Sequence, residues 1–498
     1  MPPIQLNIGG LISEYYEKRQ KHMSENITSK KHVKTSEFVV YLIAVFFYTN
    51  MTGMIGSYRS AYLVNVLRLE PWQTSLFNTL VAVIPFILNF FIAMYIDGRK
   101  PGKNGKFRPL VLLSTLPMGV LLFLSFWTPK AFSGSLLMIY LVTIAILWGV
   151  FTAFGNTINN VGVVMTPDLK ERDSVMSFRS ISSAIGNSAP LVIILVLDKV
   201  FGVSGEGQQY IIGAALCSVV GVITMLLGVK MTRERIQYST EKKNPLIGIS
   251  DVLKNKYAWV IIVSETLKSF RNISTYMGVF LAAALLGSTS KFLLFGLPTG
   301  IGTAVGMLTI NFLLKKFNSK VLYIASGIYS IIINTLAFIV GYIYFTTGTK
   351  ALQIVFIAFL FLIGLQFGAS NLLPSMFQAD VLEDIELKTK KRLDASLPFV
   401  IGLGTTVSGT IATALAPEIL YGDKIGIIGY IQPTEAVAEP VQSLKTKILM
   451  LFFYTVVHGI MMFLAGVPFF TYKLTGKTKE AIHEAVLDMR KEMEIAEN

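Results

Sequence analysis

The stretch TSLFNTLVAVIPFILNFFIAMYI, residues 74–96, runs without a single charged side chain. About 20 consecutive apolar residues cross the hydrocarbon core of a bilayer, so this stretch reads as a membrane helix. It stops at DGRKPGKNGKFRP, residues 97–109, a turn crowded with Arg and Lys. An apolar span ending in a basic turn is the unit from which the rest of the chain can be read.

Working outward, comparable spans fall at about 38–66, 74–96, 109–129, 133–164, 175–197, 208–229, 257–288, 292–314, 321–347, 351–378, 395–417 and 447–472. The first tolerates Arg59, the fifth Arg179, and the seventh Glu265, Lys268 and Arg271. Composition agrees: the chain is 53% apolar and 15% charged, against about 25% charged in an ordinary soluble protein. A soluble enzyme is excluded. The lone Cys217 excludes a disulfide scaffold, and one Cys with four His leaves little for a metal cluster or a catalytic triad. The expectation is therefore no enzyme, no cofactor and no metal.

The net charge of +14 is explained by where the charges lie. Of the 44 Lys and Arg, 32 sit before the first span, after the last, or in alternate loops between. That asymmetry is the positive-inside signature and predicts cytoplasmic termini. Nucleic acid is not an expected partner. Residues 1–37 form a basic cytoplasmic segment without the short apolar core of a signal peptide, with Met23 as a second candidate start. The loop 230–256 separates a six-span half, 38–229, from a second, 257–472. The fold class is thus all-α membrane protein, with twelve transmembrane helices in two six-helix halves. That is the major facilitator arrangement, with a solute cavity near the midplane. In the tail, 473–498, Ile482, Ala485, Val486, Met489 and Met493 recur at helical spacing, which predicts an amphipathic cytoplasmic helix with a packing role.

Three inner loops go further. They are Asp97-Gly98-Arg99 through Gly105-Lys106-Phe107-Arg108-Pro109, then Thr166-Pro167-Asp168-Leu169-Lys170-Glu171-Arg172, and the run from Ala379-Asp380 through Glu383-Asp384 to Arg392. Together with Gly429-Tyr430 and Phe470-Thr471-Tyr472-Lys473-Leu474, they resemble the glycoside–pentoside–hexuronide:cation symporters, the melibiose-permease relatives, over about residues 38–490. The resemblance implies a bacterial plasma-membrane transporter of a small solute, with no obligate protein partner. The loop residues Asp97, Arg99, Arg108, Asp168, Arg172, Asp380, Glu383, Asp384 and Arg392 are read as a cytoplasmic gate whose contacts break as the halves rock. Anchoring of the topology by charge is the other reading.

Charges inside a membrane face a cavity or a partner. Glu265 and Lys268 are three apart on one helix face, either a self-neutralising pair or a coupling site. Arg271 has no acid of its own nearby in sequence. Arg59 either snorkels outward or enters the cavity. Arg179 stands where the resemblance implies a sugar-binding arginine, with a gate salt bridge as the competing role. Asn156, Asn159 and Asn160 can serve sugar hydroxyls or bond neighbouring helices. Asn89 matches an asparagine near the family's cation site. His458 reads as a core histidine.

The chain also departs from the pattern. Where the family places two cation-binding aspartates in the second span, ungapped counting gives Phe86 and Phe90. The family's sugar-binding aspartates fall near Thr49 and Gly155, and its membrane lysine on Thr406. The reading is a sugar carrier without the family's sodium site, for an anionic glycoside or hexuronide, with proton coupling through Glu265 as a weaker option. A lysolipid carrier and a non-transporting solute sensor are the alternatives.

Overall fold

The computed structural model describes residues 32–235, 248–390, 393, 396–422, 425–434, 437 and 440–497. Arg392, the middle of the central loop and nearly all of the N-terminal segment lie outside the described residues, as does the side chain of Asp97.

The first half contains α1 (Thr35–Ala61), extended by a π turn over Tyr62–Val66, α2 (Pro71–Gly98), α3 (Arg108–Phe126), α4 (Gly134–Gly155), α5 (Ile158–Val164), α6 (Leu169–Lys199) and α7 (Glu206–Met231). Helix α2 starts where its sequence says it should. Pro71 occupies the first turn, where no N–H is needed, and Glu70 and Gln73 cap it reciprocally. The basic turn that follows is closed by paired backbone bonds between Gly102 and Gly105, the latter at φ 89°, a conformation open to glycine.

The second half contains α8 (Ile249–Lys254), α9 (Lys256–Ser269), α10 (Asn272–Leu286), α11 (Leu293–Leu313), α12 (Ser319–Thr347), α13 (Lys350–Thr389), α14 (Ser396–Tyr421), α15 (Leu444–Tyr454) and α16 (Val456–Gly466), with α17 (Lys477–Glu497) after it. Among the described residues, eleven helices are long and apolar enough to cross a membrane. The seventh expected span is missing from that number because it is broken. Its halves α9 and α10 have 14 and 15 residues, and the chain between them turns through short i→i+3 bonds at Phe270, Arg271 and Ile273. A backbone break at membrane depth is tolerated where protein or a cavity covers it.

Small residues bring the helices into backbone contact. A Cβ at Gly53 of α1 would run into the Asn187 carbonyl of α6, and one at Gly186 would strike Phe46 and Thr49. In the second half Gly302 and Gly306 of α11 face Gly364 and Gly368 of α13 with no room for a side chain. Close approach through small residues is how helices gain packing energy in lipid. Across the halves, α2 packs on α14. Helix α17 packs on the C-terminal part of α13, with Val486 buried and Ile482 against the core.

Candidate functional site: a polar cavity between the halves

Between the halves lies a cavity of about 600 Å³ walled by α1, α2 and α6 on one side and by α10–α16 on the other. A pocket of this size suits a small solute. Its wall is rich in neutral polar groups: Asn78, Asn187, Ser188, Asn272, Thr299 and Thr413 among them. Arg59 contributes a cation, its guanidinium lying over Phe77 with 5.5 Å to the ring centroid. No carboxylate occurs among the described residues of the wall.

Arg271 stands at the break between α9 and α10, its guanidinium 5.0 Å from the centroid of Phe367, a wall residue. One turn earlier, Lys268 Nζ lies 2.6 and 2.5 Å from the two oxygens of Glu265, and it also donates to the Ser370 carbonyl at 3.4 Å. The pair predicted from spacing is therefore made, and Glu265 is engaged by Lys268.

The other predicted ligands lie elsewhere. Arg179 donates to the Asn159 carbonyl at 3.5 Å. Asn159 donates to Asn156 Oδ1 at 2.7 Å, and Tyr48 reaches the same oxygen at 3.5 Å. These residues cluster where α4 breaks into α5, and with Asn160 they are not part of the cavity wall. Asn89 keeps a buried Oδ1 without a hydrogen-bond partner among the described residues. Phe86 and Phe90, beside it, pack on Phe399 of α14, with centroids 6.4 and 5.0 Å apart. Thr49 turns its hydroxyl back onto the carbonyls of Val45 and Phe46.

Among the described residues, the loop charges make their contacts within their own half. Arg108 donates to the carbonyls of Val229 and Lys230, while its backbone N–H and those of Lys106 and Phe107 converge on Glu234. Asp168 caps α6 by accepting from Glu171 N–H at 2.7 Å, and Arg172 follows it in the first turn. Arg99 closes the end of α2. Arg235 forks onto Glu37, and that hydrogen-bonded carboxylate pushes the guanidinium pKa further up. In the second half Asp384 accepts from Asn255 at 2.6 Å and pairs with Lys388, Asp380 pairs with Lys479, and Glu383 meets His483. The last two partners belong to α17.

At the ends of the helices opposite to these loops, the two halves are latched together. Thr289 donates to Glu206 at 2.8 Å and bonds Tyr210, and Ser290 donates to Asp198 at 2.5 Å. Tyr430 donates to Asn65 at 3.1 Å, and Tyr421 joins Thr74 at 2.8 Å. The cavity is thus closed at this end by contacts between the halves.

The sequence from residue 40 to 476 matches the family described as MFS/sugar transport protein. The chain belongs to that family. Its membership agrees with the loop motifs of the glycoside–pentoside–hexuronide:cation symporters. Among curated relatives, the uncharacterized symporter YjmB of Bacillus subtilis (strain 168) is 26% identical over 392 residues, covering 76% of this chain and 79% of that protein. The isoprimeverose transporter of Lactiplantibacillus pentosus is 22% identical over 421 residues, covering 79% and 85%. The fold is shared with the xylose transporter XylE from E. coli in an inward open conformation, at TM-score 0.58 and 13% identity over 90% of this chain and 99% of that one. This member of the MFS/sugar transport family is a multi-pass membrane transporter and not an enzyme; in a bacterium its membrane is the plasma membrane.

Sequence reasoning missed Asn187, Asn272, Asn334 and the cavity face of His458. Each is a neutral polar residue in a mainly apolar span, which looks the same whether it faces a neighbour helix or a cavity. The latch was missed for a related reason: Asp198 and Glu206 lie at span ends, where charges are ordinary.

Proposed function

We propose that this protein carries a sugar-type solute with an anionic group, a hexuronide or acidic glycoside, across the bacterial plasma membrane by alternating access. The observation that carries the reading is a cavity between the halves that holds Arg59, has Arg271 behind its wall, and contains no carboxylate among its described residues. Neutral amides and hydroxyls supply donors and acceptors for sugar hydroxyls, and a guanidinium forks onto a carboxylate. The family membership and the isoprimeverose transporter among the relatives support a sugar. Counting α9 and α10 as one broken span gives twelve spans in halves 38–229 and 257–472, with both termini cytoplasmic. On that orientation the latched outer ends correspond to the inward-facing state.

Transport proceeds without the family's sodium site, because hard cations need charged oxygen ligands and Phe86 and Phe90 offer none. The test is uptake of radiolabelled D-glucuronate and of D-glucose by proteoliposomes preloaded for counterflow. Uptake of the acid well above the neutral sugar supports the reading. Equal uptake removes the anionic preference, and counterflow of neither removes the sugar carrier.

A further inference from the structure

Four wall residues of the cavity carry a buried polar atom without a partner among the described residues; one is the hydroxyl of the half-buried Tyr276, and the other three belong to side chains that are themselves almost wholly buried. Asn334 of α12 is 1% exposed; its amide nitrogen donates to the Ser330 carbonyl at 2.8 Å, and its Oδ1 has no partner among the described residues. His458 of α16 is 5% exposed, with Nε2 equally unpartnered. Ser274 of α10 is 1% exposed, and its hydroxyl is the third. Buried polar groups are nearly always hydrogen-bonded, so these orphans gathered on one cavity call for an explanation.

The packing around them is specific. Gly459 follows His458, and a Cβ there would lie 3.0 Å from Asn334 Cβ and 3.1 Å from Ile331 Cα. The glycine lets α12 approach α16 closely enough for Asn334 to reach the wall. The His458 ring stands edge-on to Phe367 at 5.1 Å, and the Arg271 guanidinium lies over that same ring. The imidazole and the guanidinium are thereby both positioned by one aromatic side chain.

We propose that Ser274, Asn334 and His458 form a sugar-hydroxyl subsite, so that the second half of this protein supplies the main ligands of the solute ring. Asn334 Oδ1 accepts from a hydroxyl; His458 Nε2 and the Ser274 hydroxyl either donate or accept, which suits neighbouring hydroxyls on one ring. The first half complements this: Thr49 is folded back onto its own helix, and Gly155 is packed beneath Met118 and Tyr48. The inference rests on the sugar-carrier reading above and moves the ligands away from Arg179 and the span-four asparagines.

The test uses the full chain in proteoliposomes with radiolabelled D-glucuronate, isoprimeverose and D-xylose as probes. Ser274→Ala, Asn334→Leu and His458→Phe should each raise KM roughly tenfold, the size of one lost hydrogen bond, with His458→Gln restoring most of the affinity. KM values within twofold of the unmodified protein for all three variants overturn the subsite. A second arm needs no substrate. In a Cys217→Ala background, Asn334→Cys and His458→Cys should react with a membrane-impermeant thiosulfonate, and so should Asn187→Cys, whose position also lines the cavity. If the unmodified protein takes up none of the probes, the sugar-carrier reading fails while labelling still decides the subsite. Labelling at residue 187 but at neither 334 nor 458 overturns it.

Discussion

The rings of Phe90 and Phe399 lie 5.0 Å apart, joining α2 of the first half to α14 of the second. The position where the family resemblance calls for a cation-binding carboxylate thus forms an apolar contact between the moving bodies. Sodium dependence should be lost as a result. Uptake into proteoliposomes is expected to be the same with inward sodium, inward lithium or no alkali gradient. Accumulation that needs sodium would falsify this assignment.

Substrate charge should be read by Arg271, whose guanidinium lies over Phe367 at the cavity wall. Losing a charge-assisted contact typically costs about 1.5–3 kcal/mol. Arg271→Gln is therefore expected to weaken uptake of an acidic sugar roughly 10- to 100-fold, with a smaller change for its neutral analogue. Measuring KM for the matched pair checks both parts.

Glu265 and Lys268 are bonded to each other, with side chains only 13% and 14% exposed. Removing one partner of such a pair leaves a buried charge, typically about 3–5 kcal/mol, while replacing both is far milder. Lys268→Met should lower the melting temperature of the purified protein sharply, and Glu265→Gln with Lys268→Met should recover much of it. Proton-driven accumulation that disappears in Glu265→Gln would instead give this pair a coupling role.

The latch between the halves should set the balance between the two faces of the transporter. Thr289 and Ser290 each donate to a carboxylate of the other half, Glu206 and Asp198. A hydrogen bond to a charged group is worth about 1.5–3 kcal/mol, so Thr289→Val with Ser290→Ala should shift the equilibrium towards the outward-open form at least tenfold. Reactivity of Ser57→Cys with an external thiol reagent should rise correspondingly, because Ser57 lines the cavity. Unchanged labelling would show that other contacts hold the outer side shut.

Gly306 faces the Leu365 backbone with no space for a methyl group. Overpacking a tight contact typically costs about 1–3 kcal/mol. Gly306→Val is expected to reduce the monodisperse yield on gel filtration, whereas Gly300→Ala, with open space around it, should leave it unchanged.

The fold was legible because the bilayer imposes a simple rule on sequence. A backbone in hydrocarbon must satisfy its own hydrogen bonds, so charge-free lengths become helices, and the inner loop motifs identify the family. Local spacing was equally sufficient for the contact between Glu265 and Lys268, which needs only one helical turn. It was not sufficient for the break at Phe270–Arg271, where no Gly or Pro marks the sequence and packing against neighbouring helices determines whether the span stays straight.

What the sequence by itself determined, then, was a succession of apolar spans and the loop motifs that identify the family. Only the tertiary structure decided which polar side chains share a cavity. Asn156, Asn159 and Arg179 bond one another where α4 breaks into α5, whereas Ser274, Asn334 and His458 come from three separate helices to one wall. The physical reason is that helical periodicity fixes which residues share a face of one helix, while the rotation of each helix about its axis is set by contacts distant in sequence, such as Gly459 against Ile331 and Asn334.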